Sequence, residues 1–421
     1  MVDDELKHEM RNVVIIGSGH GGVQAAASLR EYGFSGDITM IAAEAGLPYH
    51  RPPLSKSYLS EGNDDKLVMR PWSFYESSNI RLLSADPAVV IDRYNQRVQT
   101  ASGKRLAYDH LILALGADNL TPSIGNSRHP SVLRLRTRDE AQCLRARLAS
   151  SRHTIIIGGG FIGLEVAATA RNMGLPVTLI EAQERLMARV VSPSISQVFE
   201  KKHRDMGTQI LTEAVVSEIL IGADGSTHGV ELFTGGRIEG DLVLLAVGVA
   251  PRIDIAAAAG LEITNGIKAD ATLQTSDTAI SVLGDGAEFP EARTRQRVRL
   301  ESVQAATDHA RTIAHRLTGF AAQYDALPWF WSDQADCKLQ IAGIPEAGQR
   351  SHTVVCDHNK TLVFKFSDGT FAGLESINAG GEHMAARKLL ASDHTVTAAD
   401  LAEFDFDVMR LAKSVLRPVC G

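Results

Sequence analysis

Short apolar runs that end at glycine recur along this chain of 421 residues. Residues 13–16 and 153–157 are rich in valine and isoleucine, and each run leads into a glycine-rich turn and then a segment that looks helical. Runs of this length are typical of strands that are buried on both faces of a parallel sheet. The pattern therefore predicts a strand, a tight turn and a helix, and it predicts this arrangement twice.

The two turns have the glycine spacing of dinucleotide-binding folds. There the first glycine permits the tight turn, the second lets the backbone approach a pyrophosphate, and the third lets helix and strand pack closely. The helix that follows presents unpaired N–H groups and a positive dipole end, which attract phosphate. The turns read Gly17-Ser18-Gly19-His20-Gly21-Gly22 and Gly158-Gly159-Gly160-Phe161-Ile162-Gly163.

An acidic residue follows each turn at the expected distance. Glu44 lies 22 residues after Gly22, near the end of the next predicted strand, and Glu181 lies 18 residues after Gly163. In dinucleotide folds an acid about 20 residues beyond the turn accepts hydrogen bonds from ribose hydroxyls. Because strand, turn, helix and acid occur together in both copies, the sequence predicts two dinucleotide sites.

Further apolar runs complete an α/β pattern. Residues 111–116, 242–248 and 281–285 are strand-like and end at or beside glycine, which is typical of strands that stop where a ligand comes close. Beyond Pro328 the pattern changes: residues 353–356, 361–366 and 371–377 predict antiparallel strands, with Asp368-Gly369 as a hairpin turn. A small α+β domain is therefore expected at the end of the chain.

Charge and cysteine usage exclude several classes of protein. The formal net charge of −7 argues against a nucleic-acid partner. Residues 242–250, the strongest apolar stretch, are too short for a membrane helix, and the first residues show no export signal. No metal-ligand or disulfide spacing links the cysteines, so we expect no metal site and a reducing, cytoplasmic location. The cysteines are Cys143, Cys337, Cys356 and Cys420.

Four longer strings carry a resemblance to a known family. They are PYHRPPLSK at residues 48–56, GGGFIGLE at 158–165, RLESV at 299–303 and PWFWSDQ at 328–334. With the two turns, they resemble the FAD-dependent ferredoxin reductases that supply cytochrome P450 and Rieske oxygenase systems. This is the putidaredoxin reductase and biphenyl dioxygenase reductase group of flavoproteins with two dinucleotide-binding domains. The resemblance covers nearly the whole chain.

The resemblance implies an α/β fold with two Rossmann-like domains, the NAD domain being inserted in the FAD domain, and a C-terminal α+β interface domain. The expected FAD domain comprises residues 1–116 and 249–326, the NAD domain residues 117–248, and the interface domain residues 327–421. Two junctions depart from the family pattern, at Asp118-Asn119 and at Pro251-Arg252. They lie in loops around the cofactors and do not alter the expected fold.

The cysteine positions narrow the chemistry. Relatives of glutathione reductase carry a C-x-x-x-x-C disulfide soon after the first nucleotide turn, whereas the first cysteine here is Cys143. Disulfide relay chemistry is therefore excluded. A flavin can take up a hydride whole and release electrons singly, so a one-electron acceptor is expected.

The resemblance also implies which residues form the site. Lys56 is expected beside the flavin, paired with Glu165, and Trp331 close to the ring. The alternatives are an exposed loop lysine, a glutamate favoured by the helix dipole, and, for the neighbouring Trp329, core packing. Residues expected to contact a cofactor are Gly17, Gly19, His20, Gly21, Gly22, Glu44, Arg51, Lys56, Ala88, Arg136, Gly284, Asp285, Val303, Gly158, Gly160, Phe161, Ile162, Gly163, Glu181 and Gly248.

Two charge patterns bear on specificity. Glu181 favours NADH, because a carboxylate accepts from a free 2′-hydroxyl and repels a 2′-phosphate, although nearby Arg185 keeps NADPH open. An arginine-rich segment could steer an acidic ferredoxin, or could be a solvated strand of alternating charge. It comprises Arg293, Arg295, Arg297 and Arg299.

The sequence thus predicts an NADH-dependent ferredoxin reductase that passes single electrons to a [2Fe-2S] ferredoxin serving a P450 or a Rieske oxygenase. A monomer or weak homodimer is expected. The alternatives are an enzyme of the rubredoxin or monodehydroascorbate reductase type and a flavoprotein that binds NADH as a switch.

Overall fold

A computed structural model describes residues 10–344, 350–357 and 359–416. These residues form two compact units. Unit 1 contains residues 10–50, 65–118 and 250–326, and unit 2 contains residues 51–64, 119–249 and the described residues from 327 onwards.

A five-stranded parallel sheet is the centre of unit 1, with strand order β18-β7-β1-β2-β3. Ile16 pairs with both Ile41 and Leu113, so the carboxyl ends of the three central strands lie together. Gly17 follows directly at that edge, where parallel α/β sheets bind ligands. The five strands are β1 (Asn12–Ile16), β2 (Asp37–Ile41), β3 (Ile80–Leu83), β7 (His110–Leu113) and β18 (Ile280–Val282).

Helix α1 (His20–Glu31) begins at the first glycine turn and packs against helix α8 (Val303–Leu317). Ala25, Ala26 and Leu29 of α1 are fully buried, because apolar residues at helical spacing form one face toward the core. The other elements of unit 1 are α3 (Trp72–Ser77), β4 (Ala88–Asp92), β5 (Arg97–Thr100), β6 (Arg105–Ala107), α7 (Asp254–Ala258), β17 (Ile267–Lys268), η2 (Gly284–Gly286), β19 (Ala287–Pro290) and β20 (Arg297–Arg299).

Unit 2 contains a second parallel sheet with strand order β11-β10-β9-β15. Helix α5 (Phe161–Asn172) begins at the second glycine turn, as α1 does at the first. The described elements around it are α4 (Arg138–Leu148), β9 (Thr154–Ile157), β10 (Val177–Ile180), α6 (Pro193–Asp205), β11 (Gln209–Leu211), β12 (Val216–Ile221), β13 (Thr227–Leu232), β14 (Arg237–Glu239) and β15 (Leu242–Leu245). The short strands β8 (Ala117–Asn119) and β16 (Val249–Pro251), which pair with each other, belong mainly to unit 1.

The C-terminal part of unit 2 is a five-stranded antiparallel sheet with strand order β21-β22-β25-β24-β23. Asp368 and Gly369, with φ angles of 48° and 79°, form the predicted hairpin turn between β24 and β25. The elements are β21 (Trp329–Gln334), β22 (Cys337–Gly343), β23 (Arg350–Asp357), β24 (Lys360–Ser367), β25 (Thr370–Ile377), α9 (Gly380–Leu390), α10 (Ala398–Glu403) and α11 (Val408–Val415).

Residues 51–64 belong to unit 2, although they lie between two segments of unit 1 in sequence. They form the short helices η1 (Pro52–Ser55) and α2 (Ser57–Glu61), which contact α4 and α5. Leu54 and Leu59 are buried there. The sequence did not predict this grouping, because no pattern in residues 51–64 distinguishes them from the preceding half-fold.

The two junctions that depart from the family pattern are linked in unit 1. The Arg252 guanidinium forms an ion pair with the Asp118 carboxylate, and the Arg252 N–H donates to the carbonyl of Gly116 at 3.0 Å. The two departures from the family pattern therefore contact each other, and their charges offset.

Three absences concern the described part of the chain alone. None of its helices combines the length and apolarity needed to cross a membrane. No cluster of three or more His, Cys, Asp or Glu residues there could hold a metal ion. Cys143, Cys337 and Cys356 are free thiols, and Cys420 lies outside the described residues.

Two buried histidines of unit 1 make its stability depend on pH. Burial lowers the pKa of His309 to about 3, with the rings of Phe289 and Tyr324 edge-on around it. Burial, with the charge of Arg316, likewise lowers the pKa of His110 to about 3. Both side chains are therefore neutral in the folded protein at pH 5, where an unfolded histidine is protonated.

We expect the free energy of unfolding to fall as the pH drops from about 6.5 to 5, by about 2 kcal/mol for each of these histidines. The sign follows because the unfolded chain binds protons that the folded chain rejects. Urea unfolding at pH 7, 6 and 5 measures it. Carboxylates with lowered pKa values add their loss only below this window, and an unchanged urea midpoint would contradict the prediction.

Candidate dinucleotide and redox site

The first glycine turn contains two glycines that the protein's own packing requires. Gly17 has a φ of 111°, and its N–H donates to the carbonyl of Ile41 at 2.8 Å. A Cβ atom on Gly22 would lie 2.0 Å from the carbonyl oxygen of Gly17, so only glycine lets α1 approach the turn. These two positions explain the tight turn and the close helix.

Gly19 is different, because nothing among the described residues requires a glycine there. Its φ of −75° suits any residue, and a Cβ atom would meet no atom within 4 Å. The space in front of the α1 N-terminus is thus open on the side where a phosphate group would approach. The turn fits the pyrophosphate of a dinucleotide such as FAD.

The second turn, in unit 2, likewise has two glycines that packing requires and one that faces open space. Gly158 has a φ of 110°, and a Cβ atom on Gly163 would lie 2.1 Å from the carbonyl oxygen of Gly158. Gly160, with a φ of −81°, again faces open space. Phe161 and Ile162 begin α5, and Ile162 is exposed. The second turn therefore fits a dinucleotide on the same physical grounds.

Glu181 follows β10 directly and is held at the second turn. Its Oε2 accepts the Gly159 N–H at 2.7 Å and its Oε1 accepts the Gln183 N–H at 2.8 Å. A carboxylate has about four acceptor positions, so two remain for ribose hydroxyls. The side chain is therefore fixed with spare acceptor capacity beside the turn.

The Arg185 side chain forms hydrogen bonds with the segment that follows it. Its guanidinium donates to the carbonyls of Val191 and Ala188 at 2.8 and 2.7 Å, and to Ser196 Oγ at 2.8 Å. These bonds hold the guanidinium against the loop that follows it. The arrangement weakens the case for Arg185 as a 2′-phosphate ligand.

Lys56 and Glu165 are brought together within unit 2. Lys56 Nζ lies 2.8 Å from Glu165 Oε2, and the glutamate is only 4% exposed. The exposed-loop alternative for Lys56 is wrong, because its side chain is 23% exposed and paired with a buried acid. Glu165 also accepts the hydroxyls of Ser55 at 2.5 Å and Ser332 at 2.6 Å.

Trp331 lies on β21, the strand that also carries Ser332. Its ring centroid is 5.4 Å from that of Trp329, which in turn lies under the Arg387 guanidinium at 4.4 Å. Phe330 points to the other face of the strand and meets Phe161 at 4.7 Å. Both tryptophans are half-buried, and Trp329 packs against Arg387 as well as Trp331.

Arg51 and Arg136 are also brought together in unit 2. Arg51 donates to the carbonyl of Arg136 at 2.5 Å. Arg136 donates its own N–H to Glu140 Oε2 at 2.7 Å, beside the capping box that begins α4. Gly248, which has a φ of 106°, precedes β16.

The remaining predicted residues lie in unit 1. Asp285 is in η2, where the Gly284 N–H donates to His309 Nδ1 at 3.2 Å. Glu44 accepts the hydroxyl of Tyr49, and it lies three residues beyond β2 rather than at its end. Further positions are His20, which contacts His50 at 3.2 Å, Gly21, packed against Leu283, Ala88, which begins β4, and Val303, which begins α8.

Comparison with known proteins identifies the family. The profile of the pyridine nucleotide-disulphide oxidoreductases matches residues 11–310, and the reductase C-terminal profile matches residues 329–412. The chain belongs to the pyridine nucleotide-disulphide oxidoreductase family. The chain is therefore an oxidoreductase that binds FAD and NAD(H), and the predicted cofactors are confirmed.

Individual relatives resemble this oxidoreductase along most of its length. Rhodocoxin reductase of Rhodococcus erythropolis is 44% identical over 400 residues, which are 94% of this chain and 93% of the relative. The ferredoxin reductase for the CYP199A2 system of Rhodopseudomonas palustris is also 44% identical, with a TM-score of 0.92 over 95% of this chain and 99% of that one. A putidaredoxin reductase in covalent complex with putidaredoxin is 33% identical, with a TM-score of 0.91 over 96% and 98%. The predicted fold class and the resemblance to ferredoxin reductases are confirmed.

The arginine-rich segment of this oxidoreductase is largely neutralised within unit 1. Arg293 pairs with Glu291 at 3.4 Å, Arg297 with Glu288 at 3.4 Å, and Arg299 with Glu301 at 2.5 Å. An acid thus offsets the charge of three of the four arginines. The structure favours the alternative of a solvated strand over a basic docking rim.

Sequence reasoning missed the two serines that bind Glu165. Both stand in strings that carried the resemblance, Ser55 immediately before Lys56 and Ser332 immediately after Trp331. That adjacency was the available signal. A serine alone predicts no chemistry, and only the fold shows that both hydroxyls reach one buried carboxylate.

Proposed function

We propose that this oxidoreductase transfers electrons from NADH to a [2Fe-2S] ferredoxin that serves a cytochrome P450 or a Rieske oxygenase. One observation carries the proposal: the chain resembles reductases of this kind along most of its length. The absence of a cysteine before Cys143, where a redox disulfide would lie, is consistent with it. Bound FAD would supply the chemistry, because a flavin takes up a hydride whole and releases electrons singly. Putidaredoxin, the partner in the matched complex, illustrates the acceptor class.

The domains expected from the sequence form part of the proposal. Residues 1–116 with 249–326 would hold FAD and residues 117–248 would hold NADH, with residues 327–421 as the interface domain. Gly19 and Gly160 leave the open space that two pyrophosphates need. A cytoplasmic location and a monomeric or weakly dimeric state remain predictions.

Lys56 would place its ammonium group beside the flavin ring, with Glu165 as its anchor. A cation there stabilises the negative charge that the ring gains as a hydride arrives. The short ion pair and the burial of Glu165 support this role, because they limit the positions open to the lysine side chain. Trp331, two residues from a packed tryptophan, would cover the ring or assist electron exit.

We expect Glu181→Ala to weaken NADH binding roughly tenfold and to narrow the preference for NADH over NADPH, because two hydrogen bonds to ribose would be lost. Titration of the oxidised enzyme with NAD⁺ and NADP⁺ measures both affinities. Glu184→Ala is the matched control, since Glu184 is 79% exposed. An unchanged preference in Glu181→Ala would refute the role of Glu181.

The test of the proposed function is an anaerobic titration of the purified protein with NADH, in which the visible absorbance spectrum is recorded. Bleaching of a flavin band by NADH, and its return on addition of an oxidised [2Fe-2S] ferredoxin, would establish cofactor, donor and acceptor class together. A colourless protein that takes up no FAD would overturn the proposal.

Two other outcomes of this titration assign the alternatives. A flavin that NADH reduces, and that rubredoxin or monodehydroascorbate reoxidises faster than ferredoxin, would favour those acceptors. Slow reoxidation by every carrier, with a long-lived charge-transfer band, would favour a switch. Either outcome contradicts the ferredoxin proposal while keeping the flavoprotein assignment.

A further inference from the structure

The buried carboxylate of Glu165 is held by three side-chain donors. Its Oε2 accepts Lys56 Nζ at 2.8 Å and Ser55 Oγ at 2.5 Å, and its Oε1 accepts Ser332 Oγ at 2.6 Å. Both oxygens of the carboxylate therefore act as hydrogen-bond acceptors. Ser332 is the donor to Oε1, while Lys56 shares Oε2 with Ser55.

Ser332 also accepts a hydrogen bond, which comes from Gln334. Gln334 Nε2 donates to Ser332 Oγ at 3.3 Å, and Gln334 Oε1 lies 3.1 Å from His203 Nε2. Burial lowers the pKa of His203, assisted by the charge of Lys202 and opposed by the bond to Gln334, so the ring is neutral and its Nε2–H donates to Gln334. The side chains that form this series are all nearly completely buried: Glu165, Ser332, Gln334 and His203. In this series of hydrogen bonds, His203 donates to Gln334, Gln334 donates to Ser332, and Ser332 donates to Glu165.

The position of Ser332 is set by the C-terminal sheet. Residues of β21 pair in register with β22, Ser332 opposite Leu339, and the serine is completely buried. A hydroxyl on a rigid strand keeps its geometry better than one on a loop. The next residue toward the N-terminus, Trp331, faces the opposite side of the strand.

We propose that Ser332 is a positioning residue for the reduction of the flavin by NADH, acting through Glu165 on Lys56. The inference rests on the proposed function, since it assumes that Lys56 serves the flavin. It gives the C-terminal sheet a part in the NADH half-reaction as well as in the contact with an electron acceptor. Removing the hydroxyl would leave Oε1 of a buried carboxylate without its donor, so that the carboxylate would turn and draw Lys56 with it.

The test compares Ser332→Ala with Ser376→Ala by stopped-flow reduction with NADH. Ser376 is a matched control, because it is completely buried in the same sheet and donates to the carbonyl of Gln340 at 3.1 Å. We expect the limiting rate of flavin reduction to fall roughly tenfold in Ser332→Ala and to stay unchanged in Ser376→Ala. The NADH dissociation constant from the same data should stay within roughly twofold in both variants.

A double-mutant cycle separates positioning from general damage. If Ser332 acts through the carboxylate, Ser332→Ala should lower the rate no further in a Glu165→Gln background. A full tenfold fall in that background would overturn the inference, because the serine would then act independently of Glu165. A Ser332→Ala rate equal to that of Ser376→Ala would also overturn it.

Two further outcomes remain distinguishable. If Ser332→Ala does not fold, Ser332→Cys fills the site with a slightly larger side chain and replaces a strong donor with a weak one. A folded Ser332→Cys that is reduced at the wild-type rate refutes the positioning role, and a slower rate supports it. Failure of NADH to reduce the wild-type flavin would refute the proposed function itself, whereas fast reduction of wild type and serine variants alike refutes only this inference.

Discussion

Gly19→Ala should fold normally and lose affinity for FAD roughly 100-fold, because its Cβ would occupy the open space in front of α1 and displace one or two charge-assisted hydrogen bonds to phosphate. Gly22→Ala should instead be strongly destabilised, since its Cβ would lie 2.0 Å from a backbone oxygen. Backbone cannot move aside as a flexible side chain can, and the cost is about 3 kcal/mol or more.

The ratio of flavin to protein absorbance, together with circular dichroism, separates the two effects. Gly160→Ala is the matched control in the second turn, where a Cβ also meets open space. It should keep FAD and weaken NADH. A Gly19→Ala protein that binds FAD as tightly as wild type would show that this space is not the path of a pyrophosphate.

Lys56→Met should lower the limiting rate of flavin reduction by NADH roughly 100-fold, since removal of one well-placed electrostatic donor from an active site costs about that much. It should also lower the reduction potential of the flavin, because a cation stabilises the reduced ring. Loss of the partner of a buried acid should reduce the melting temperature as well.

Lys360→Met is the matched control for that experiment. Lys360 pairs with Glu382 at 2.5 Å, and its side chain is 29% exposed, close to the 23% of Lys56; Glu382, at 17%, is more exposed than Glu165. This variant should lose some stability and keep the rate and the potential. Equal rates for wild type and Lys56→Met would mean that the lysine does not lie beside the flavin.

Local patterns predicted the two glycine turns and the helices that follow them. Each glycine turn combines a buried strand, a spacing and a helix start within about ten residues, and the structure has α1 and α5 where those signals place them. The hairpin at Asp368 is equally local, because two residues with positive φ determine it. Such features are visible in sequence because neighbouring residues alone decide them.

A contact between residues far apart in sequence was predicted only where the family resemblance implied that pair. The pair of Lys56 and Glu165 was found in that way, whereas Ser332, 167 positions from Glu165, was not. Asp118 and Arg252 looked like two separate departures, yet they neutralise each other across 134 positions. The sequence leaves the arginine-rich segment with two alternatives, a docking rim or a solvated strand. Two of the glutamates that offset it, Glu291 and Glu301, lie only two residues from their arginines in sequence.

The membership of residues 51–64 in unit 2 has a practical consequence for recombining such reductases. A chimera that replaces residues 117–248 with the corresponding piece of another enzyme would take Glu165 from one parent and Ser55 and Lys56 from the other. Ser332 would come from a third segment. A crossover scheme that exchanges residues 51–64, 119–249 and 327–421 together keeps all four groups from one parent, and it should yield more active hybrids than a scheme that cuts at the boundaries of the nucleotide folds.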